Sequence, residues 1–199
     1  MNIGFLASHG GSNMQAIVDA CKSSALNATP ALVVSNNGDS QALERARSEG
    51  ISSQHLSSKT VSEGEDLDQV ILDALVAHNV DIVVLAGYMR KIGPKVLTHF
   101  KGRILNIHPS LLPKFGGQGM YGMRVHRAVI EAGEAESGVT IHLVDGEYDT
   151  GPILAQASVP VEPGDTAEDL AARVLITEHR FFAETLQRIV DGEIALPES

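Results

Sequence analysis

The chain has 199 residues, 43% of them hydrophobic and 20% charged, which is typical of one globular domain spanning residues 1–199. The formal net charge of −10 argues against a nucleic-acid binder, because such proteins present clustered Lys and Arg to phosphates. No apolar run approaches the roughly 18 residues that cross a bilayer, and the single Cys21 has no disulfide partner, so we expect a cytoplasmic protein without membrane partners.

Short apolar runs rich in Val, Ile and Leu alternate with amphipathic stretches in the first half of the chain. Because these runs are apolar on both faces, they are typical of parallel strands covered by helices on each side. Strands are predicted at 3–7, 31–35, 82–86 and 104–107, and helices at 12–22 and 67–76. The pattern predicts an α/β fold with an open, mostly parallel, twisted sheet and helices on both faces.

The second half begins with a loop at 109–123 that holds two prolines and four glycines, a composition more often functional than idle. A helix at 125–132 and strands at 139–144 and 153–161 follow. A final amphipathic helix begins at Asp165-Thr166-Ala167-Glu168, which places an acceptor side chain at the cap and a Glu in the first turn. In such a sheet, ligands bind beyond the carboxyl ends of the strands, which places the site in the loops after residues 7, 86 and 107.

The first candidate site is the segment 8–13, Ser-His-Gly-Gly-Ser-Asn. Adjacent glycines allow close backbone approach, and the following helix start offers unpaired N–H groups, so a phosphate could bind there. The segment lacks the Gly-Lys-Ser/Thr of a Walker loop and the Gly-x-Gly-x-x-Gly of dinucleotide-binding folds. The alternative is a tight turn in which Ser12 caps the helix.

The second candidate is Asn106 with His108, which the two-residue period of a strand places on one face. An amide and an imidazolium can both donate to an oxyanion that forms during acyl transfer. The alternative is that backbone groups at the strand end satisfy both side chains.

An acidic turn at 145–152 supplies the third candidate, Asp149. Folded against His108, this carboxylate would raise the pKa of the imidazole and keep it protonated at neutral pH. His142, on the preceding strand, could line the site or simply pack. The spacing of the histidines does not match a metal site.

Four segments, in this order and spacing, resemble the folate-dependent formyltransferases over nearly the whole chain. They are Ser12-Asn13, the run Val-Leu-Ala-Gly-Tyr-Met-Arg at 84–90, the run Leu-Asn-Ile-His-Pro-Ser-Leu-Leu-Pro at 105–113, and Asp-Thr-Gly-Pro-Ile at 149–153. The resemblance implies a Rossmann-like formyltransferase fold, 10-formyltetrahydrofolate as the co-substrate, and no metal. It further implies formyl transfer to the amine of glycinamide ribonucleotide in purine (IMP) biosynthesis. The alternatives are another amine substrate or a non-catalytic nucleotide-binding module.

The resemblance also implies roles for individual residues. The ribonucleotide would be bound by Gly11, Ser12, Asn13 and Glu178. The folate would be bound by Met89, Arg90, Lys91, Ile92, Asn106, Asp145, Gly146, Glu147 and Tyr148. The catalytic residues would be Asn106, His108 and Asp149, with Asn106 and a protonated His108 stabilising the oxyanion while Asp149 keeps His108 charged.

Three features depart from the family pattern. The loop at 114–123 is longer than the usual connection, the folate-tail region at 63–65 is acidic, and Leu175 stands where a polar residue could help to bind the phosphate. A methionyl-tRNA formyltransferase would carry a further basic domain, and a formyltetrahydrofolate hydrolase a regulatory one, so the length disfavours both. We expect small-molecule substrates as partners and a monomer or homodimer.

Overall fold

Seven strands form one sheet at the centre of the protein, in a computed structural model that describes residues 1–197. The strands are β1 Asn2–Ala7, β2 Thr29–Ser35, β3 Ser52–His55, β4 Ile82–Leu85, β5 Ile104–His108, β6 Glu136–Leu143 and β7 Ile153–Pro160. The helices are α1 Ser12–Lys22, α2 Gln41–Ser48, α3 Leu67–Ala77, α4 Pro94–His99, α5 Met123–Glu131 and α6 Ala167–Val190. The order is β3-β2-β1-β4-β5-β6-β7, and only β6 runs antiparallel to the other strands, which confirms the predicted open, mostly parallel sheet.

Two apolar layers, one on each face of the sheet, form the core. Along β1, Ile3 and Phe5 pack with α1 and α6, whereas Leu6 packs with α3 and α4 on the opposite face. Both faces of the central strands are therefore buried, which is why their sequences show unbroken apolar runs instead of alternation. The cap of α6 is Thr166, in a capping box with Asp169.

The strand order reverses at β1, which lies between β2 and β4. This reversal brings the loops that follow β1, β4 and β5 to one edge of the sheet, where open α/β folds bind ligands. The antiparallel pairing of β5 with β6 sets Asn106 opposite His142 at the same edge. Within residues 1–197, no helix is both long and apolar enough to cross a membrane.

Candidate active site

A chain of four polar side chains lies at the carboxyl end of β5. Asn106 and His142 are direct cross-strand partners, and Asn106 Nδ2 lies 3.1 Å from His142 Nε2. Asp149 Oδ1 lies 3.4 Å from His142 Nε2, and its Oδ2 lies 3.4 Å from His108 Nδ1. Asn106, His142, Asp149 and His108 therefore form one connected group, called here the imidazole–carboxylate cluster.

The turn that carries Asp149 packs closely against the end of β6. At Gly151 any Cβ would overlap the carbonyl oxygen of Leu143, so only glycine allows the chain to return this closely. The backbone N–H of Gly117, in the long loop, donates to Asp149 Oδ2 at 2.9 Å. The Asp-Thr-Gly-Pro segment thus places the carboxylate beside His108, the contact considered from the sequence, and also beside His142.

Backbone carbonyl groups fix one proton on each imidazole. His108 Nε2 lies 2.8 Å from the carbonyl of Phe115, and His142 Nδ1 lies 2.9 Å from that of Leu143. Because a carbonyl oxygen can only accept, each of these nitrogens carries hydrogen. The other nitrogen of each ring faces Asp149, so a second proton on either ring would be stabilised directly by the carboxylate.

Burial sets the charge states of the cluster. The pKa of His108 is lowered, because burial outweighs the attraction of Asp149 and the hydrogen bond to Phe115. The prediction that Asp149 raises the His108 pKa to keep it charged is therefore wrong in net direction, although Asp149 does oppose the decrease. For Asp149, burial favours the neutral acid, but the hydrogen bond from His142, the charge of His108 and the Gly117 N–H together lower its pKa.

Two residues beside His108 adopt a backbone conformation that is uncommon outside glycine. Phe115 has φ 56° and Asp149 has φ 58°, both in the left-handed region. Such residues cost about 1–3 kcal/mol each and persist where the surroundings hold them. Here the two flank the same imidazole, Phe115 through its carbonyl and Asp149 through its carboxylate.

A second cluster joins the two predicted parts of the ribonucleotide site. Glu178, on α6, is 8% exposed, and its Oε2 accepts a hydrogen bond of 3.1 Å from Asn13 Nδ2 on α1. Burial, only partly opposed by that bond, raises the pKa of Glu178 to about 7. The Oδ1 of Asn13 is buried without a hydrogen-bond partner among the described residues.

The glycine loop before α1 is held against α2. Gly11 has φ 65° and forms the N-cap of α1, so Ser12 is the first helical residue and not the cap. A Cβ on Gly11 would lie 2.8 Å from the Cβ of Ala42, which leaves room for glycine alone. The sequence alternative of a cap at Ser12 is therefore wrong, and the first turn of α1 has no side-chain cap.

Two carbonyl groups of this loop point toward α2. The His9 carbonyl accepts from Ala42 N–H at 3.0 Å, and the Gly10 carbonyl accepts from Arg45 Nε at 3.0 Å. In a trans peptide the N–H of the next residue points the opposite way, so the N–H groups of Gly10 and Gly11 face away from α2. Together with the start of α1 they form a concave donor surface suited to an anion.

The predicted folate segment lines a cavity of about 370 Å³. Arg90, Lys91 and Ile92 contribute to its wall, together with Tyr88 and residues of the loops after β2 and β3. The predicted opposite wall at 145–148 does not line this cavity, and neither does Met89. The two segments instead meet through an exposed ion pair of 3.2 Å between Lys91 Nζ and Glu147 Oε1.

Three contributors to these sites escaped sequence reasoning or were left open. His142 is central to the cluster, and the two-residue alternation of polar Thr140 and His142 on β6 was the available signal. Arg45 carried no signal, and the buried Ser8 stood in the candidate segment 8–13 without a role of its own, because the contacts of both come from helix and loop packing. Leu175 is 39% exposed, so it does not belong to the core.

In residues 1–197, no three His, Cys, Asp or Glu side chains are arranged in a way that could hold a metal ion.

Known proteins resemble this chain over almost its whole length. The family model described as Formyl transferase matches residues 1–186. Over 199 residues the chain is 41% identical to the phosphoribosylglycinamide formyltransferase of Escherichia coli (strain K12), covering 100% of this chain and 92% of that protein. It is 39% identical over 196 residues to the trifunctional purine biosynthetic protein adenosine-3 of Chironomus tentans, covering 98% of this chain and 14% of that protein. The crystal structure of glycinamide ribonucleotide transformylase 1 from Symbiobacterium toebii matches with a TM-score of 0.89 and 40% identity, over 99% of this chain and 91% of that one.

Proposed function

The chain belongs to the formyl transferase family, and we propose that it transfers a formyl group from 10-formyltetrahydrofolate to the amine of glycinamide ribonucleotide. This reaction is a step of purine (IMP) biosynthesis, and a purine biosynthetic protein is among the relatives. The observation that carries the proposal is the imidazole–carboxylate cluster, which gathers the predicted catalytic residues Asn106, His108 and Asp149 around His142. A cytoplasmic location and a monomeric or homodimeric state stay predictions.

The ribonucleotide would occupy the region between the glycine loop and α6. Its phosphate would accept hydrogen bonds from the backbone N–H groups of Gly11, Ser12 and Asn13, aided by the positive end of α1. Glu178 would accept a hydrogen bond from the substrate amine. Asn13 would take part in both contacts: its backbone N–H, in the first turn of α1, would bind the phosphate, and its side-chain amide donates to Glu178.

The folate would lie along the segment 89–92, where apolar atoms of Ile92 and backbone polar groups would hold the pteridine. Asp145, Gly146, Glu147 and Tyr148 form the facing turn in this proposal. The Lys91–Glu147 ion pair already joins the two segments. It is exposed at both ends and contributes little to stability, so a ligand can separate it at small cost.

During transfer, the amine nitrogen bonds to the formyl carbon and the formyl oxygen gains negative charge. Asn106 Nδ2 donates to this oxygen, and a protonated His108 stabilises it through its positive charge. The bond from the formyl carbon to N10 then breaks as N10 takes a proton from His108, and the proton that the amine loses returns to the imidazole, directly or through water. Asp149 stabilises His108 in its protonated form, so the imidazole can deliver that proton directly or through water.

A formyl-transfer assay tests the proposal directly. Purified protein is incubated with 10-formyltetrahydrofolate and either glycinamide ribonucleotide, its dephosphorylated nucleoside, or glycinamide. We expect efficient turnover with the ribonucleotide and a much larger KM for both truncated amines, because they lack the phosphate. Equal rates with all three amines would favour a different acceptor, and binding of the ribonucleotide without turnover would favour a nucleotide-binding module.

A further inference from the structure

The loops that follow β1, β2 and β4 meet at one buried hydroxyl group. Ser8 comes directly after β1 and is 1% exposed. Its Oγ donates to Oδ1 of Asn36 at 2.6 Å and accepts from the backbone N–H of Met89 at 2.8 Å. The Ser8 backbone N–H also donates to the carbonyl of Gly87 at 3.1 Å. One residue therefore fixes both ends of the segment 87–89.

These contacts link the two proposed substrate sites. Ser8 begins the glycine loop, and Met89 begins the proposed folate segment. We propose that Ser8 is a positioning residue that holds the folate segment in its binding conformation and ties it to the ribonucleotide loop. The inference rests on the proposed function, and it assigns Ser8 no contact with either substrate.

The Ser8 hydroxyl group is the shared hydrogen-bond partner of two polar groups. Ser8→Ala would leave the Met89 N–H and the Asn36 Oδ1 without that partner. Unpaired polar groups away from water are costly, so the backbone at 87–89 would shift to find other partners. The next residues, 90–92, line the 370 Å³ cavity, and such a shift would change its wall.

Ser35 provides a matched control. It is 0% exposed, lies at the end of β2, and its Oγ donates to the Asn37 carbonyl at 3.0 Å and accepts from the Asn37 N–H at 3.1 Å. Ser35→Ala therefore also removes one buried hydroxyl group and two hydrogen bonds. Its contacts stay within the loop after β2 and do not reach the folate segment.

The test compares steady-state kinetics of Ser8→Ala and Ser35→Ala with the unmodified protein. For Ser8→Ala we expect KM for 10-formyltetrahydrofolate to rise about tenfold, the equivalent of one lost hydrogen bond to a positioned backbone, with KM for the ribonucleotide within about twofold. Ser35→Ala should lower Tm without changing either KM. Ser8→Cys, which keeps the shape with a weaker donor and acceptor, should fall between Ser8→Ala and the unmodified protein and serves if alanine prevents folding.

Hydrogen exchange supplies a readout that does not depend on turnover. Peptides covering 87–92 should lose protection in Ser8→Ala and keep it in Ser35→Ala. Unchanged exchange together with an unchanged donor KM in Ser8→Ala, or equal changes in the two variants, would overturn the inference. If the exchange difference appears but the unmodified protein transfers no formyl group, the proposed function fails while the positioning by Ser8 stands.

Discussion

Asp149 and Glu178 are two largely buried carboxyl groups whose surroundings move their pKa values in opposite directions. Asp149 interacts with His142, with the charge of His108 and with the backbone N–H of Gly117, and these interactions lower its pKa in spite of burial. Glu178 has the amide of Asn13 alone, so burial prevails and raises its pKa to about 7. The groups in contact with each carboxyl group, and not burial by itself, therefore decide which one stays charged.

The difference suits two tasks in one reaction. An ionised Asp149 stabilises a proton on His108, whereas a carboxyl group whose pKa lies near neutrality can exchange a proton with a substrate amine. Titratable groups whose surroundings separate their pKa values commonly mark the acid and base roles of an active site.

Asp149→Asn should have the largest effect. The amide keeps the shape but removes the charge that opposes the lowering of the His108 pKa. We expect kcat to fall about 10³-fold and the alkaline limb of the pH–rate profile, where His108 loses its proton, to move to lower pH. Kinetics from pH 5 to 9 measure both, and a profile that coincides with that of the unmodified protein would contradict the role of Asp149.

Asn106→Ala tests the oxyanion donor at the other end of the cluster. Removing one such donor typically lowers kcat by about 10²- to 10³-fold. Asn106 is only partly buried, so Tm should change little. Turnover close to that of the unmodified protein would show that Asn106 does not stabilise the oxyanion.

Glu178→Gln should affect stability in a pH-dependent manner. Because the folded pKa of about 7 lies above the ordinary value of 4.5, the unfolded state ionises first as the pH rises. The unmodified protein therefore loses stability between about pH 4.5 and 7, by roughly 3 kcal/mol, and the loss is absent below this range. Glutamine cannot ionise, so Glu178→Gln should be the more stable protein at pH 8 and equal at pH 4.5. Chemical denaturation at both pH values measures the free energy of unfolding of the two proteins. A difference between them that is the same at pH 4.5 and pH 8 would refute the raised pKa of Glu178.

Arg45→Ala should have the smallest effect, on substrate affinity. Arg45 holds the Gly10 carbonyl that orients the loop N–H groups, whereas Arg47, on the same helix, is exposed. We expect KM for the ribonucleotide to rise about tenfold in Arg45→Ala, roughly the value of one hydrogen bond from a charged donor, and to change little in Arg47→Ala. Arg45→Gln can still donate to the carbonyl and should recover part of the loss. Equal effects at both arginines would indicate a general charge effect.

Most of the sheet could be predicted, since the central strands are apolar on both faces. The exceptions have physical reasons. The edge strand β3 is the polar sequence Ser-Ser-Gln-His and shows no apolar run, and α4 has only six residues. The helix α2 buries small residues such as Ala42 and Ala46, which give a weak periodic signal.

The site was predicted better in its residues than in its electrostatics. Asn106, His108 and Asp149 converge, but they do so through His142, which the sequence left open as a packing residue. The net pKa direction of His108 could not be read from the sequence, because it depends on how far the folded chain excludes water around one ring. Ser8 and Arg45 likewise act through contacts that exist only after the loops pack.

A direct titration of the two carboxyl groups tests the central contrast. Carbon NMR of protein labelled at Asp and Glu side-chain carboxyl carbons follows each group, with Asp149→Asn and Glu178→Gln assigning the two signals. We expect Glu178 to titrate near pH 7 and Asp149 to titrate below the ordinary Asp value of 3.8. Two carboxyl groups that titrate together at ordinary values, or in the reverse order, would contradict the account.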